Sequence, residues 1–466
     1  MPRWARAADV LTVLLALAAL AVAVTGGIRL EAFGATLSVT SWIRLFIWGA
    51  LVAAVRHWFV PRPPLPARLH WPRPRHETIG AILPAFVVTR AAVLLVGLIA
   101  VYAIGIPEST SPLVVPGNEA RDLLARYDTG WYLHIVQYGY RPSAAAFRQQ
   151  NIAFFPLFPV LIRLVGELIG QRWLLAGFLV SMAAFAGALA YLYRLGTHVC
   201  RRPGASALAV ALLSAYPFAV FYSAVYTESL FLLCSAGAFY HALRRQPLAA
   251  AGWALAAGLT RPNGVLLAIP LALAVAVRAW PAPFRRMPWL AGPFGPTPDD
   301  GGRPRAADLL MVAAPAIGLA VFSAYLWHLT GNPLAWMEAQ SGWGREYRGL
   351  NALLPDPFLR QGLFRALQHS TPNTLNAFAG LFALALSIPV TRHYGLAFGA
   401  IVALNVVVPL VGGGPVSLGR FTSVLFPMFL YLADAVPERH RPYWLAAFGM
   451  GQALVATLFF TWRELF

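Results

Sequence analysis

The sequence contains no lysine and few acids. Its 36 basic residues are all arginine, against 18 Asp and Glu, which gives a formal net charge of +18. Charged residues make up only 12% of the chain, where soluble domains carry roughly a quarter. Cys200 and Cys234 are the only cysteines, which excludes a disulfide framework and a cysteine-rich metal site. With 59% hydrophobic residues, this composition excludes an ordinary soluble domain.

The chain contains several long hydrophobic segments with few charged residues. Val10–Val24, Ile79–Ile104 and Ala307–Leu329 reach or approach the ~20 residues that a membrane-spanning helix requires. The arginines cluster in short loops between such runs, as the positive-inside rule describes, so their charge does not indicate a nucleic-acid partner. The sequence predicts an all-α polytopic membrane protein, with residues 1–466 forming one integral-membrane domain.

We predict about 11–13 transmembrane helices. Two apolar segments, 152–170 and 249–277, are predicted to be re-entrant or broken, the second near Arg261-Pro262-Asn263-Gly264, because proline and glycine interrupt a helix there. The other segments are predicted to span at 9–27, 42–60, 79–106, 173–194, 205–222, 225–243, 307–330, 376–390, 394–411, 421–436 and 443–461.

Three connections differ in charge and composition. The long segments 107–151 and 331–375 contain both acids and arginines, which indicates two loops outside the cytoplasm. Loops of this length are uncommon unless functional. Segment 281–306 is rich in proline, glycine and arginine and is predicted to be a flexible cytoplasmic linker.

The first external loop ends in an aromatic segment, 126–140. Asp128, Tyr132 and Ile135 recur at helical spacing, which predicts a short amphipathic helix at the membrane interface, where Trp131 and Tyr132 are favoured. A structural alternative is an interfacial aromatic belt with one solvated aspartate.

Ionisable residues also stand in or beside apolar segments. Glu228 belongs to Tyr226-Thr227-Glu228-Ser229, Arg261 to the predicted helix break, and Arg420 to Ser417-Leu418-Gly419-Arg420-Phe421. Such residues usually face a cavity or a partner. The alternatives are that Glu228 pairs with an arginine across helices and that Arg420 anchors a helix end.

These motifs resemble, in their order, the PIG-V-like mannosyltransferases, which are membrane glycosyltransferases of the GT-C architecture. The resemblance covers roughly residues 120–270 and is carried by Tyr127-Asp128, Tyr226-Thr227-Glu228-Ser229-Leu230-Phe231, Thr260-Arg261-Pro262-Asn263-Gly264 and, most specifically, Asn151-Ile152-Ala153-Phe154-Phe155-Pro156-Leu157-Phe158-Pro159. Tyr127 stands where the family usually has tryptophan, and Pro262 where the eukaryotic members have serine. Together with the all-arginine composition, these differences suggest a bacterial branch in the plasma membrane.

The resemblance implies transfer of mannose from a polyprenyl- or dolichyl-phosphate carrier to an acceptor hydroxyl outside the cytoplasm. The partners would be this donor, a lipid or glycan acceptor and membrane lipids. Because a phosphate leaving group needs no general acid, one carboxylate can suffice as general base; we predict Asp128. Arginine binds phosphate bidentately, and Arg261, Arg420 and Arg126 are the candidates for this role.

The sequence also offers candidate substrate-binding residues and carboxylates that could bind a metal ion. The candidate substrate-binding residues are Trp131, Tyr132, His134, Glu228 and Asn263. Glu119, Asp122 and Asp128 supply enough carboxylates for a divalent ion, but they form no Asp-X-Asp pair, and arginine can neutralise a phosphate. We therefore predict no metal and no cofactor.

The main alternative function is a transporter or flippase of a lipid-linked sugar, which would also need broken helices and buried arginines. The charged external loop with Asp128 favours the enzyme, because a transporter needs no base there. A purely structural scaffold would leave the ionisable residues at membrane depth unexplained.

Overall fold

The computed structural model describes residues 2–25, 28–32, 35–39, 42–60, 76–107, 123–143, 149–297, 300–345, 347, 349, 365, 371–463 and 465. Parts of both predicted external loops lie outside these ranges.

The described chain is almost entirely helical. Its helices are α1 (Arg3–Thr25), α2 (Trp42–Phe59), α3 (His76–Ala103), α4 (Thr129–Tyr138), α5 (Leu157–Leu168), α6 (Trp173–Val199), α7 (Ala205–Ala215), α8 (Glu228–Leu243), α9 (Pro247–Thr260), α10 (Ala268–Ala279), α11 (Pro281–Arg286), α12 (Pro288–Ala291), α13 (Ala306–Thr330), α14 (Ala335–Glu338), α15 (Thr371–Tyr394), α16 (Leu396–Gly413), α17 (Leu418–Ser423), α18 (Phe426–Ala435) and α19 (Arg441–Phe460). Short 3₁₀ segments occupy Asn151–Ala153, Pro217–Ser223, Pro262–Leu267, Gly292–Phe294, Ala339–Trp343 and Glu438–His440. One antiparallel hairpin, β1 (Ile28–Ala32) and β2 (Ala35–Val39), joins α1 to α2.

Within the described residues, seven helices are long and apolar enough to cross a membrane, or eight if one bent pair forms a single span. These helices confirm an all-α, multi-pass membrane protein. The count leaves out α1 and α2, which correspond to the predicted spans 9–27 and 42–60. Among the other predicted spans, several are broken or short, so the count is lower than the predicted 11–13. Segment 205–222 bends by 81° between α7 and the 3₁₀ segment Pro217–Ser223, and segment 421–436 is divided between α17 and the 10-residue α18.

The bend after α7 is stabilised by Arg90 of α3. Its guanidinium donates to the carbonyl oxygens of Ser214 at 2.9 Å and Ala219 at 2.6 Å, and to the Ser223 hydroxyl at 2.9 Å. The bend leaves these carbonyl groups without helical partners, and an unsatisfied carbonyl is costly in an apolar environment. Arg90 thus fixes the segment that leads into Tyr226 and Glu228.

Helices α9 and α10 form a hairpin against α13. Arg245, just before α9, makes two 2.8 Å contacts with Asp300, and Arg278, near the end of α10, binds Asp308 at 2.9 Å. Both acids lie at or just before the first turn of α13, so the chain enters and returns on the same side. The turn between the helices begins at Arg261, which has an extended backbone (φ −156°), and this confirms the predicted break.

The α9–α13 contact depends on glycine. A Cβ atom at Gly258 would collide with the backbone oxygen of Pro315, and one at Gly318 would lie 2.5 Å from the backbone oxygen of Leu255. The two helices therefore approach until their backbones touch. This contact sets the position of the end of α9 and of Arg261.

The short arginine-rich turns lie together at one end of the bundle. Asp434 accepts hydrogen bonds from the backbone amides of Arg201 and Arg202 at 3.0 Å and from the Tyr394 hydroxyl at 2.7 Å. Arg244 follows α8 at its far end from Glu228, about 24 Å away for 16 helical residues. Glu228 and the basic turns are thus at opposite ends of the molecule.

The second long connection packs against the first. Beyond the end of α13, Ala335 and Ala339 join Ile135, Phe155 and Phe322 in a small separate hydrophobic core. This core holds segment 335–345 beside α4 and the phenylalanine–proline stretch.

Candidate active site

A cavity of about 860 Å³ opens at the end of the bundle opposite the basic turns. Six parts of the chain form its walls: the start of α4, Gln149 with residues 153–155, Thr227, the α9–α10 turn, lining residues between Trp336 and Tyr347, and the α16–α17 region. The polar or aromatic lining residues include Asp128, Tyr132, Gln149, Phe154, Thr227, Arg261, Asn263, Trp336, Gln340, Trp343, Arg345, Tyr347, Ser417, Arg420 and Phe421. The site therefore exists only in the assembled bundle.

Asp128 lies at the N-terminal end of α4 and faces this cavity. Its backbone amide donates to the Tyr226 hydroxyl at 3.1 Å, and its Oδ2 accepts from Arg420 Nη1 at 2.5 Å. The preceding residue, Tyr127, has a φ of +46°, a conformation that is rare for non-glycine residues. The Tyr127 hydroxyl donates to the carbonyl of Arg463 at 2.7 Å, which fixes the turn that presents Asp128.

Glu228 connects two arginines behind the cavity wall. Its Oε1 lies 2.8 Å from Arg261 Nη1 and 3.5 Å from Arg420 Nε, and the glutamate side chain is 1% exposed. Glu228 begins α8, where the positive end of the helix dipole favours a carboxylate. Arg420 consequently bridges Asp128 and Glu228, and opposite charges alternate from Asp128 through Arg420 and Glu228 to Arg261.

Arg345 completes the site and was not predicted. Its guanidinium carbon lies 5.2 Å from the centre of the Phe421 ring, which Arg261 and Arg420 also approach, at 4.8 and 5.5 Å. Burial, reinforced by the neighbouring Arg420 and Arg261, lowers the pKa of Arg345 from 12.5 to about 10. The Asp128 carboxylate partly opposes this lowering, but among the described residues Arg345 makes no ion pair within 4 Å and no hydrogen bond. We call Asp128, Glu228, Arg261, Arg345 and Arg420 the charge cluster.

No sequence motif marked Arg345, because it stands in a long loop of balanced charge without an apolar run. Its only sequence signal is an arginine close to the aromatic residues Trp336 and Trp343, and this is weak evidence by itself.

The structure places two predicted substrate-binding residues on the cavity wall. Tyr132, one turn after Asp128, approaches the Thr227 hydroxyl at 3.4 Å. Asn263, in the α9–α10 turn, donates from Nδ2 to Asn405 Oδ1 at 2.8 Å. Both side chains line the cavity.

The geometry does not support four other predicted contacts. Arg126 is fully buried and its Nε donates to the Phe460 carbonyl at 2.8 Å. Trp131 stacks on Phe154, and His134 approaches Asn151 Nδ2 at 3.1 Å. These three side chains and Glu228 do not line the cavity. Asp128 and Tyr132 lie four residues apart on one face of α4 and both line the cavity, whereas Trp131 packs against Phe154 and Trp343 and His134 contacts Asn151.

The described residues contain no group of three His, Cys, Asp or Glu side chains that could hold a metal. Glu119 and Asp122 lie outside the described residues. The expected absence of a metal therefore stays a prediction.

A match to a protein family indicates the class of protein. Residues 107–280 match the family described as mannosyltransferase (PIG-V). Together with the apolar helices, this match supports an integral, multi-pass membrane glycosyltransferase. The resemblance to the PIG-V-like mannosyltransferases is confirmed over these residues, which include Asp128, Glu228 and Arg261.

A comparison with solved structures matches the chain to an oligosaccharyltransferase from Archaeoglobus fulgidus. Its apo form is 11% identical, with a TM-score of 0.39, and the match covers 80% of this chain and 56% of that chain. Its complex with an inhibitory peptide and a dolichol-phosphate is 12% identical, with a TM-score of 0.39 and coverage of 80% and 56%. The present chain thus spans just over half the length of these structures. No curated protein sequence matches the chain.

Proposed function

We propose that the protein is an inverting mannosyltransferase that moves mannose from a polyprenyl- or dolichyl-phosphate carrier to an acceptor hydroxyl on a glycolipid. One observation carries this proposal: a single cavity presents the Asp128 carboxylate and the guanidinium groups of Arg261, Arg345 and Arg420. A base and a phosphate site are the two elements that the reaction requires.

The charge of the cluster suits the proposed donor. Three arginines face two carboxylates, so the charge cluster carries a net charge of +1. A sugar linked to a lipid through a phosphodiester carries one negative charge. Because arginine stays cationic when partly buried and presents paired donors to phosphate oxygens, the three arginines form a suitable receptor for this group.

Asp128 would act on the other substrate. In the proposed reaction, its carboxylate removes the proton of the acceptor hydroxyl, the hydroxyl oxygen attacks the anomeric carbon of mannose, and the bond to the phosphate oxygen breaks. The departing phosphate takes the electron pair and needs no proton. Attack on the face opposite to the phosphate would invert the anomeric centre.

The cavity wall also favours a lipid-linked donor over a soluble one. Val265, Leu266, Val408 and Val416 form an apolar side of the cavity, and Val408 is 46% exposed on the surface of the bundle. A polyprenyl chain can leave the cavity over such residues into the surrounding bilayer. A nucleotide-sugar donor would gain nothing from this apolar side.

The sidedness follows from the arginine-rich turns. By the positive-inside rule, the end of the bundle that carries these turns faces the cytoplasm, and the charge cluster lies at the opposite end. We therefore propose an active site outside the cytoplasm, in a bacterial plasma membrane.

A transfer assay tests the function. Purified protein is incubated with radiolabelled polyprenyl-phosphate mannose and a membrane lipid extract, and the labelled product is identified. We expect a mannosylated acceptor that forms only in the presence of the extract. Movement of the labelled donor between the leaflets of vesicles, without any product, would instead indicate the transporter alternative.

Arg261→Ala tests the donor site. We expect the KM for the lipid-phosphate donor to rise about tenfold, as for the loss of one charge-assisted phosphate contact, with a much smaller change for the acceptor. Arg278→Ala is the matched control, because Arg278 also ends a helix and binds a carboxylate, Asp308, at 2.9 Å, but lies outside the cavity. An unchanged donor KM in a folded Arg261→Ala protein would move the phosphate site elsewhere.

A further inference from the structure

Two of the three arginines in the charge cluster pair with carboxylates, and the third does not. Arg420 contacts both Asp128 and Glu228, and Arg261 contacts Glu228. Arg345 contacts no carboxylate among the described residues. Two arginines are therefore already balanced by two acids, and the surplus positive charge resides on Arg345.

The proposed reaction creates a second negative charge. The donor phosphodiester has one negative charge, whereas the lipid phosphate that leaves is a monoester, which carries close to two at neutral pH or above. At the same time, the carboxylate that accepts the hydroxyl proton loses its charge. The total charge of the site and substrates is unchanged, but one negative charge moves from the base to the leaving phosphate.

We propose that Arg420 exchanges partners during this step: it is paired with Asp128 before transfer and with the leaving phosphate afterwards, while Arg345 binds the phosphate throughout. This inference rests on the proposed function and specifies how its two elements are coupled. The acceptor proton passes to Asp128, the acceptor oxygen bonds to the anomeric carbon, and the electron pair of the broken bond passes to the phosphate oxygen. Protonated Asp128 then no longer attracts Arg420.

The position of Arg420 suits this exchange. Its Nη1 contacts Asp128 and its Nε faces Glu228, while its guanidinium carbon lies 5.5 Å from the centre of the Phe421 ring, which Arg345 approaches to 5.2 Å. Arg420 and Arg345 therefore flank one aromatic ring on the cavity wall. A phosphate held by Arg345 lies within reach of Arg420 after a small rotation of its side chain.

Asp128→Asn imitates the protonated base, so the effect of losing the Asp128 charge on phosphate binding can be measured without the transfer reaction. Binding of undecaprenyl phosphate and of its mannosyl diester is measured to wild-type and variant protein in nanodiscs at pH 8 and pH 5. At pH 8, we expect Asp128→Asn to bind undecaprenyl phosphate about tenfold more tightly than wild type does, with little change for the diester. At pH 5, the monoester loses its second charge, and the gain should disappear.

Three variants complete the test. Asp128→Asn combined with Arg420→Ala should bind undecaprenyl phosphate no more tightly than wild type does. Arg345→Ala should bind both the phosphate and the diester about tenfold more weakly. Asp300→Asn should behave as wild type, because Asp300 pairs with Arg245 outside the cavity. Folding is checked by size-exclusion chromatography.

The outcomes distinguish failure of the Arg420 partner exchange from failure of the proposed mannosyltransferase function. If folded Asp128→Asn has lost transfer but discriminates between the two ligands as wild type does, the exchange is wrong and the base remains. A gain that persists without Arg420 also overturns the exchange. If wild-type protein binds neither ligand, the proposed donor and the exchange fail together.

Discussion

Asp128→Asn should lower the rate of mannose transfer about 10³-fold, the middle of the range for loss of a general base, while the protein remains folded. The amide has the size of the carboxylate, so the packing around position 128 is kept, but it carries no charge to hold Arg420 and cannot accept the proton of the acceptor hydroxyl. The measurement is single-turnover transfer with saturating donor.

Asp300→Asn is the matched control for this experiment. Asp300 also pairs with an arginine, through two 2.8 Å contacts with Arg245, at the opposite end of the bundle. Since Asp300 lies outside the cavity, we expect transfer within about twofold of wild type in the folded variant. Near-normal transfer by Asp128→Asn would remove the proposed base.

Gly258→Ala should destabilise the bundle and abolish transfer. The new methyl group would meet the backbone oxygen of Pro315, which cannot rotate away as a side chain would. Overpacking of this kind lowers the free energy of unfolding by about 3 kcal/mol, and displacement of α9 would also move Arg261. Thermal unfolding in detergent, measured together with the transfer rate, tests this expectation.

Gly252→Ala provides the control within the same helix. A Cβ atom at Gly252 meets no atom within 4 Å, and alanine favours a helix over glycine by about 1 kcal/mol. This variant should therefore be as stable as wild type or slightly more stable. Equal stability of the two variants would show that the α9–α13 contact tolerates a methyl group.

The sequence predicts the helical membrane fold because apolar runs and arginine-rich turns are local signals. It also predicts the break at Arg261, since proline and glycine act on their own neighbourhood. It does not predict the bend in segment 205–222. The 81° bend after α7 depends on Arg90, whose partners lie more than 120 residues away.

The candidate site is predicted only in part, because some of its residues meet through contacts between segments that are distant in the sequence. Asp128, Arg261 and Arg420 are marked by motifs or by their position beside apolar segments, and all three line the cavity. Arg345 carries no such mark, because its proximity to Phe421 arises from the packing of segment 335–345. Arg126 has the appropriate charge next to Asp128, but neighbouring residues in a chain need not face the same side, and its guanidinium binds the carbonyl of Phe460.

The distance along the chain between the members of the charge cluster has a consequence for synthesis. Arg420 follows Asp128 by 292 residues, and α19, whose Phe460 carbonyl binds Arg126, comes later still. Because N-terminal segments are made first, a nascent chain carries Asp128 and Glu228 into the bilayer long before the guanidinium that joins them. Under the proposed function, a donor lipid would therefore meet the complete charge cluster only after α17 and α19 have been inserted.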